Sequence, residues 1–352
     1  MDSATPCATP ARPWLVADIG GTNARFGLVT APGRPAIHVQ RLPVADHAGP
    51  EQAIRAYLAG LAQEDSADLA REGLAAAALA VATPVTGDEV SFTNSAWRFS
   101  AQGLQAALGL DRLLVLNDFE ALALSLPRLG PAQRHTPAGW LAPGEHPAQT
   151  LAVIGPGTGL GVGGVLPTVA GWAAIAGEGG HVTLAAADED EAALLAWVRR
   201  SHGHVSAERL LSGMGLPLLH QAVAAVQGRA VPALSAEQIV SHGLAEAADP
   251  LCRETLAHFC AMLGGVAGNV VLTLGARGGL YIGGGIVPRL GDFFACSRFR
   301  ERMLAKGRFA DYLAAVPVAI ITDTLAALAG GALALEQSAR PGPAQASWAM
   351  AG

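Results

Sequence analysis

The most informative segment for the fold lies near the start of the chain and reads Trp14-Leu-Val-Ala-Asp-Ile-Gly-Gly-Thr-Asn-Ala-Arg-Phe-Gly-Leu-Val29. An apolar run ends at Asp18, a double-glycine turn follows with Thr22 and Asn23, and a second apolar run begins at once. This pattern predicts a β-hairpin. Glycines allow close approach to the backbone, and the exposed amides of such a turn can bind an anion. With Asp18 beside it, the turn suits nucleotide phosphates and a hydrated Mg²⁺, although an ordinary tight hairpin explains the pattern as well.

The same pattern recurs in the second half of the chain. Leu151–Ile154 predicts a strand, Gly155-Pro-Gly-Thr-Gly-Leu-Gly161 a glycine turn, and Val162–Leu166 a returning strand. A second hairpin of this kind indicates a duplicated domain. The run Gly159-Leu-Gly-Val-Gly-Gly164 also matches the dinucleotide-binding pattern G-x-G-x-x-G. That pattern needs a helix directly after the glycines, whereas a β-branched strand follows here, so we reject it.

Strand and helix patterns alternate along the rest of the chain, which predicts an α/β fold with mostly parallel or mixed sheets. Further strands are predicted at Ala76–Ala82, Leu113–Leu116, Gly279–Ile282 and Val316–Thr322. Helices are predicted at Gln52–Ala62, Phe119–Leu126, Glu189–Arg200, Pro217–Val226, Pro250–Leu274 and Thr324–Glu336. The Pro- and Gly-rich residues 127–148 predict a linker or a crossing loop.

The composition excludes several classes of protein. The 352 residues, 51% of them apolar and 15% charged, suffice for two domains with sizeable cores. A net charge of −6 argues against nucleic acid as the main partner. Lys306 is the only lysine, and its surroundings fit neither a P-loop nor the strand lysine of a protein kinase. Any ATP site must therefore have another architecture.

Cysteine usage and apolar runs indicate a cytoplasmic protein. The four cysteines form no Cys-x-x-Cys pair, so no zinc is expected and buried thiols in a reducing compartment are the simplest interpretation. The first residues lack the apolar core of a secretory signal. The longest alanine- and leucine-rich run, Leu325–Leu335, is far shorter than the ~20 residues that span a bilayer. We expect no membrane partner.

Polar side chains at three further places are candidates for a binding site. Asn117-Asp118 ends a buried strand, where a carboxylate can face a ligand crevice or a residue can cap the following helix. Gly177-Glu-Gly-Gly-His181 places a carboxylate and an imidazole in a glycine-lined loop, which suits sugar hydroxyls. Glu208 could bind the same sugar, cap a helix or pair with Arg209. His202 and His204 have metal-like spacing but no partner ligands, and we interpret them as structural.

Gly283-Gly-Gly285, after the strand Gly279–Ile282, could let an adenine ring lie against the backbone, or could simply turn a strand into a helix.

These motifs together resemble those of bacterial glucokinases outside the ROK (repressor–ORF–kinase) family, within the hexokinase/actin/Hsp70-like ATPase superfamily. The resemblance covers about residues 14–336. It rests on Ala-Asp-Ile-Gly-Gly-Thr-Asn-Ala-Arg25, Thr93-Asn94 before Trp97, Leu-Asn-Asp-Phe119, Gly-Pro-Gly-Thr-Gly-Leu-Gly161, Gly-Glu-Gly-Gly-His181, Ser-Ala-Glu-Arg209 and Gly-Gly-Gly-Ile-Val-Pro-Arg289. The ROK cysteine cluster that binds zinc is absent from this sequence.

The resemblance implies an actin/hexokinase-like (ribonuclease H-like) ATPase fold, with two α/β domains about a cleft. The small domain is expected at 13–127 plus 322–337 and the large domain at 128–321, with disordered tails at 1–12 and 338–352. Such enzymes are usually homodimers.

The resemblance also implies roles for individual residues. Asp118 corresponds to the catalytic base, and the glucose-binding residues correspond to Asn94, Asn117, Asp118, Glu178, His181 and Glu208. ATP is expected to contact Ala17, Asp18, Ile19, Gly20, Gly21, Thr22, Asn23, Gly157, Thr158, Gly159, Gly284 and Gly285, with Asp18 holding Mg²⁺ through water.

The expected activity is therefore ATP-dependent phosphorylation of D-glucose to D-glucose 6-phosphate, the first step of glycolysis. A kinase for another hexose, or one that also uses polyphosphate, is the main alternative. A non-catalytic sugar-sensing protein predicts a damaged base or a DNA-binding domain, and this sequence keeps Asp118 and has no helix-turn-helix pattern in its short N-terminal segment. An actin-like ATPase or phosphatase without a sugar does not explain the Gly-Glu-Gly-Gly-His181 loop.

Overall fold

The structure is a computed structural model that describes residues 12–62, 73–92, 95–144 and 148–339. The strands are β1 (Trp14–Ile19), β2 (Asn23–Val29), β3 (Ile37–Pro43), β4 (Ala76–Val81), β5 (Glu89–Ser91), β6 (Arg98–Ser100), β7 (Arg112–Asn117), β8 (Arg134–His135), β9 (Leu151–Pro156), β10 (Leu160–Thr168), β11 (Gly171–Ile175), β12 (Gly279–Ile282) and β13 (Val318–Ile321).

The helices alternate with these strands. They are α1 (Pro50–Leu61), α2 (Ala101–Leu108), α3 (Asp118–Ser125), α4 (Glu189–Val198), α5 (Ala207–Leu210), α6 (Leu216–Val226), α7 (Ala236–Leu244), α8 (Pro250–Leu274), α9 (Val287–Leu290), α10 (Asp292–Ala295), α11 (Phe299–Leu304), α12 (Ala310–Ala314) and α13 (Ala326–Ser338).

The chain divides into two compact units. The first comprises Met1–Arg128, Pro167–Ala174 and Thr324–Gly352, and the second comprises Leu129–Leu166 and Ile175–Asp323. Compared with the expected domains, residue 128 falls in the first unit and residues 322–323 fall in the second. The larger difference is at residues 167–174, which group with the first unit instead of the second. The reason is a contact distant in sequence: the Trp172 backbone N–H donates to Gln337 Oε1 at 2.5 Å, and Gln337 Nε2 donates to the Trp172 carbonyl at 2.9 Å.

A five-stranded sheet in the order β3-β2-β1-β4-β7 forms the centre of the first unit. β1, β4 and β7 run parallel, while β2 and β3 are antiparallel to their neighbours. All six residues of β4 are buried, because helices cover both faces of the sheet, and this explains its continuous apolar sequence. α1 packs on one face through Ile54 and Tyr57, and α13 packs on the other through Leu328 and Leu335.

The second unit contains a six-stranded sheet in the order β11-β10-β9-β12-β13-β8. Its first five strands repeat the order of the first unit, with an antiparallel hairpin joined to parallel strands. This repetition confirms the predicted duplication. Residues 160–168 form strand β10, which confirms that the G-x-G-x-x-G match is not a dinucleotide-binding turn.

The predicted linker at 127–148 is partly wrong. Arg134–His135 forms strand β8, which pairs antiparallel with β13. The Arg134 guanidinium donates to Tyr281 Oη at 3.1 Å and to the Pro143 carbonyl at 2.9 Å. A two-residue strand is too short to show alternation, so only its long-range partners reveal it. By covering β13 it also protects that edge of the sheet.

Of two predictions from composition, one needs correction. Within the described part of the chain, helix α8 is long and apolar enough to cross a membrane by length and composition. Of its most apolar 18-residue window, 72% is buried inside the protein, as in the core helix of a soluble protein, so it is weak evidence for a membrane span. Cys252 and Cys260 are buried as expected, but Cys296 is exposed. The predicted tails lie almost wholly outside the described residues.

Candidate active site

The β1–β2 turn places a carboxylate at the edge of the first sheet. Asp18 lies opposite Arg25 in the hairpin register, and Arg25 Nη1 donates to Asp18 Oδ2 at 2.9 Å. The Gly20 N–H donates to the Asn23 carbonyl at 3.0 Å, which closes the turn, and Thr22 is exposed at its tip. The turn therefore presents backbone and hydroxyl groups to a ligand, while Asp18 is oriented by an arginine.

Burial raises the pKa of Asp18 above its ordinary value, and the charge and hydrogen bond of Arg25 oppose that rise. Burial is the larger cause. The pair with Arg25 is therefore what favours the ionised carboxylate in this environment.

Asp118 lies at the same edge of that sheet. Ile19, Val81 and Asn117 are in register on the parallel strands β1, β4 and β7, so their carboxyl ends are level. Neighbouring strands are ~4.8 Å apart, which puts the backbones of β1 and β7 roughly 10 Å from each other. Asp118 is the first residue of helix α3. Its carboxylate is therefore within reach of a ligand at the β1–β2 turn.

Asn117 is the N-cap of α3, as one of the two interpretations of this pair predicted. Its Oδ1 accepts from the Phe119 N–H at 2.9 Å, and its Nδ2 donates to the Thr83 carbonyl at 3.4 Å. Asp118 Oδ1 also accepts from the Phe119 N–H at 2.9 Å. These bonds hold both side chains at the start of the helix, next to the carboxyl end of β4.

The predicted sugar loop lies in the second unit. Gly179–His181 forms a single 3-10 turn, and the side chains of Glu178 and His181 are exposed. A Cβ at Gly180 would lie 3.0 Å from the carbonyl carbon of Leu160 and closer still to its oxygen. Only glycine fits there, because the loop packs directly on the backbone of β10.

Glu208 connects this loop to the β9–β10 turn. Its Oε2 accepts from the Leu160 N–H at 2.9 Å, and its Oε1 lies 3.6 Å from His181 Nε2. Helix α5 begins after Ser206, whose hydroxyl accepts from the Arg209 N–H at 3.1 Å and so caps the helix. Ser206, not Glu208, is therefore the cap, and Glu208 faces the turn and the imidazole. The alternative pairing of Glu208 with Arg209 is not formed.

The second glycine turn and the third glycine cluster are also neighbours. The Gly157 N–H donates to the Gly159 carbonyl at 2.8 Å, which closes the β9–β10 turn. The Ile286 N–H donates to the Pro156 carbonyl at 3.2 Å. Gly284 has φ +76°, and a Cβ on it would lie 2.7 Å from the Pro156 carbonyl carbon. The carboxyl ends of β9 and β12 thus carry both glycine segments side by side.

Each unit therefore gathers its own share of the predicted site residues. The first holds the β1–β2 turn, Asn117 and Asp118, and the second holds the β9–β10 turn, Glu178, His181, Glu208 and the cluster at Gly284. Asn94 lies outside the described residues. His202 bonds to Ser201, and His204 bonds to Thr183. Neither of these bonds is made to Glu178 or His181 of the predicted sugar loop.

Among residues 12–62, 73–92, 95–144 and 148–339, no group of three or more His, Cys, Asp or Glu side chains is arranged to hold a metal ion. Mg²⁺ in phosphate sites commonly uses one or two carboxylates, with water and substrate phosphates as its other ligands. The single carboxylate of Asp18 beside the turn fits a site of that kind. It does not fit a site in which protein side chains supply all the ligands.

Two residues that support this arrangement were not predicted from the sequence. Arg25 orients Asp18, and the Thr83 carbonyl accepts from Asn117. The first was accessible from sequence, because residues 18 and 25 stand opposite each other in any hairpin with this turn. The second depends on β4 lying beside β7, which no local pattern reveals.

Comparisons with known proteins show the family of this chain. The glucokinase family model matches residues 15–338. The glucokinase of Aromatoleum aromaticum is 49% identical over 329 residues, which cover 93% of this chain and 95% of that protein. The crystal structure of a glucokinase from an Antarctic psychrotroph matches with TM-score 0.82 at 38% identity, covering 92% of this chain and 98% of that one.

A more distant structure matches in fold alone. It is a ROK-family glucokinase from Streptomyces griseus in complex with glucose and AMPPNP, with TM-score 0.57 at 18% identity, covering 91% of this chain and 98% of that one. The strand order of the two sheets and these matches show the two-domain actin/hexokinase-like kinase fold. The match over most of its length shows that this chain belongs to the glucokinase family.

Proposed function

We propose that this protein transfers the γ-phosphoryl group of ATP to the 6-hydroxyl of D-glucose, giving D-glucose 6-phosphate and ADP. Membership of the glucokinase family supports this reaction, and a more distant relative was crystallised with glucose and AMPPNP. The observation that carries the proposal in this chain is the group formed by Glu208, His181 and the β9–β10 turn. It joins hydroxyl-binding side chains to a glycine turn suited to phosphates.

Asp118 is proposed as the general base. It accepts the proton of the 6-hydroxyl while the hydroxyl oxygen attacks the γ-phosphorus in line, and the bond from that phosphorus to the β–γ bridging oxygen breaks. Asn117, the N-cap residue of α3, lies next to Asp118 and can bind the same sugar. Little covalent chemistry is required of the protein in such a transfer, so positioning supplies most of the rate enhancement.

The remaining site residues are proposed to bind the substrates. Carboxylates accept hydrogen bonds from sugar hydroxyls, and a neutral imidazole can donate or accept. These roles fall to Glu178, His181 and Glu208, together with Asn94. The turns 18–23 and 157–159 bind the phosphates, and Gly284 and Gly285 face the adenosine.

Asp18 is proposed to hold Mg²⁺ through water. The ion, when bound, neutralises charge on the β- and γ-phosphates. Arg25 favours the ionised form of Asp18, against the effect of burial on its pKa, and orients the carboxylate for this role.

The cellular context is likewise a proposal, supported by the family relationship. We place the reaction at the first step of glycolysis, in the cytoplasm, and expect the chain to work as a homodimer. Light scattering coupled to size-exclusion chromatography measures the mass of the particle, and a monomer at assay concentration contradicts the dimer.

A coupled assay with a panel of sugars and phosphoryl donors tests the reaction. Glucose with MgATP should give the highest kcat/KM. A site that hydrogen-bonds a hydroxyl can reject an analogue lacking it by about 10⁴-fold, so deoxyglucoses missing a bound hydroxyl should be poor substrates. Preference for another hexose, or for polyphosphate over ATP, would replace the proposed substrate or donor.

His181→Ala should raise the KM for glucose while kcat changes much less. Loss of one hydrogen-bonding partner in a site costs about 1–3 kcal/mol, or roughly 5- to 150-fold in affinity. Steady-state kinetics with glucose varied at saturating MgATP measure the effect. His202→Ala is the matched control, because that imidazole bonds to Ser201 rather than to a predicted sugar ligand. A loss confined to kcat contradicts the assignment of His181.

Arg25→Met should move the acidic limb of the pH profile of kcat/KM for MgATP to higher pH. Arg25 lowers the pKa of Asp18 against the effect of burial, so its removal lets that pKa rise further and reduces the ionised fraction at a given pH. Arg41→Met is the control, since Arg41 lies opposite Arg25 on β3 but is exposed. An unchanged limb in Arg25→Met means that Asp18 does not act as an anion in nucleotide binding.

A further inference from the structure

Three contacts tie the β9–β10 turn to the elements that carry the sugar-binding side chains. The Leu160 N–H donates to Glu208 Oε2 at 2.9 Å. The Gly213 N–H, in the segment after α5, donates to the Gly157 carbonyl at 2.7 Å. Gly180, between Glu178 and His181, lies so close to the Leu160 carbonyl that a Cβ there would overlap with it. All of these residues belong to the second unit.

Of these three contacts, only that of Glu208 is made by a side chain that also faces a proposed sugar-binding group. One of its oxygens accepts from the turn, and the other lies 3.6 Å from His181 Nε2. Its side chain is about one quarter exposed. A sugar hydroxyl that bonds to Oε1 would therefore restrain the carboxylate whose Oε2 holds the turn.

Gly159 shows how closely the carboxylate and the turn fit. A Cβ at Gly159 would lie 3.2 Å from Glu208 Cδ and closer still to Oε2. The backbone φ of Gly159 is not in the left-handed region, so an alanine is compatible with the backbone itself. The Glu208 carboxylate thus occupies the space that a side chain at residue 159 would fill.

From these contacts, and resting on the proposed function, we infer that Glu208 is a positioning residue that couples the two substrates. Sugar bound at its Oε1 stabilises the conformation in which its Oε2 holds the phosphate-binding turn, so glucose and nucleotide each raise the affinity for the other. Thermodynamic linkage requires the two effects to be equal. Typical couplings between sites are about 5- to 150-fold in affinity.

The sharpest test is Gly159→Ala, a substitution in the phosphate turn measured through the sugar. The added methyl group meets the end of a flexible side chain, so the protein should fold with the Glu208 carboxylate displaced. Calorimetric titration with glucose alone, with no nucleotide present, should then show affinity reduced on the order of tenfold, as for loss of a hydrogen bond to a charged group.

Gly203→Ala is the control in the same unit, because a Cβ there meets nothing within 4 Å and Gly203 is not among the proposed site residues. It should bind glucose in the absence of nucleotide as the unmodified protein does. Thermal unfolding of both variants checks that they are folded. Equal glucose affinity in Gly159→Ala and Gly203→Ala overturns the inference.

The second measurement is the affinity for AMPPNP with and without saturating glucose. Glucose should tighten AMPPNP binding by at least about fivefold in the unmodified protein. It should have no effect in Glu208→Ala, and Glu208→Gln should restore part of the coupling because its amide oxygen can still accept from the Leu160 N–H. Coupling that survives in Glu208→Ala overturns the inference while leaving the proposed function intact. If the unmodified protein binds no glucose, both the inference and the proposed function are wrong.

Discussion

Asp118→Asn should lower kcat by about 10²–10⁴-fold, the usual contribution of a general base, while the protein still binds glucose. The amide has nearly the same shape and can still accept from the Phe119 N–H, so helix α3 should begin at the same residue. What it cannot do is take the proton of the 6-hydroxyl. Steady-state kinetics give kcat, and calorimetric titration with glucose shows that the sugar site is retained.

Glu120→Gln is the control for this result. Glu120 lies in the same first turn of α3, and burial raises its pKa, so it is a second carboxylate in similar surroundings. Its replacement should leave kcat within about twofold, as expected for a group that moves no proton. Turnover of Asp118→Asn at the unmodified rate refutes the assignment, and a large loss in Glu120→Gln instead would transfer the role of base to Glu120.

Gly330→Ala should destabilise the first unit strongly. Gly330 lies inside α13 where that helix crosses α3, and a Cβ there would lie 2.6 Å from the Ala121 carbonyl carbon and closer still to its oxygen. These are backbone atoms of a fully buried residue, so rotating a side chain cannot relieve the strain. Overpacking of this kind costs typically about 1–3 kcal/mol, and a clash with backbone lies at the upper end or beyond.

The direction of this change is diagnostic, because glycine to alanine inside a helix otherwise stabilises by up to about 1 kcal/mol. Thermal unfolding measures it. Gly60→Ala in α1 of the same unit is the control, since its nearest neighbour would be Gln40 Oε1 at an ordinary 3.7 Å. Gly60→Ala should melt at or above the unmodified protein. Gly330→Ala melting equally high contradicts the close packing of α13 on α3.

The same substitution should also reduce activity. α3 begins at Asp118, one turn before Ala121, so a displacement of α3 moves the proposed base. A fall in kcat of Gly330→Ala at temperatures where it remains folded is therefore expected.

The local elements of this chain were largely predictable from its sequence. Both glycine hairpins follow from apolar runs interrupted by glycine, and the repeat of this pattern predicted the duplicated strand order. Asp118 was singled out because a strand predicted to be buried ends directly before it; the strand is there as β7, but its residues are only partly buried, so the prediction of burial was wrong. Helix α8 was predicted with its bounds, since Asp249 and Pro250 start it and Gly275 ends it.

Elements with few residues or with distant partners were not predictable. β8 has two residues and exists because β13 offers it hydrogen bonds. The hairpin tip at 167–174 groups with the first unit because Trp172 bonds to Gln337, 165 residues later. Glu208 could be interpreted from sequence as a cap, an ion-pair partner or a sugar ligand, and only its bond to the Leu160 N–H shows which groups it faces.

The sequence sufficed for many of the longer strands and helices, for the glycine turns and for the kinds of side chain that end the predicted strands, because these depend on conformational preferences acting over a few neighbouring residues. Which of those side chains meet depends on the tertiary structure. Arg25 on Asp18 is a short-range case, whereas Glu208 on the β9–β10 turn joins residues 48 apart. Such contacts depend on the packing of whole sheets and helices, and no local preference encodes that packing.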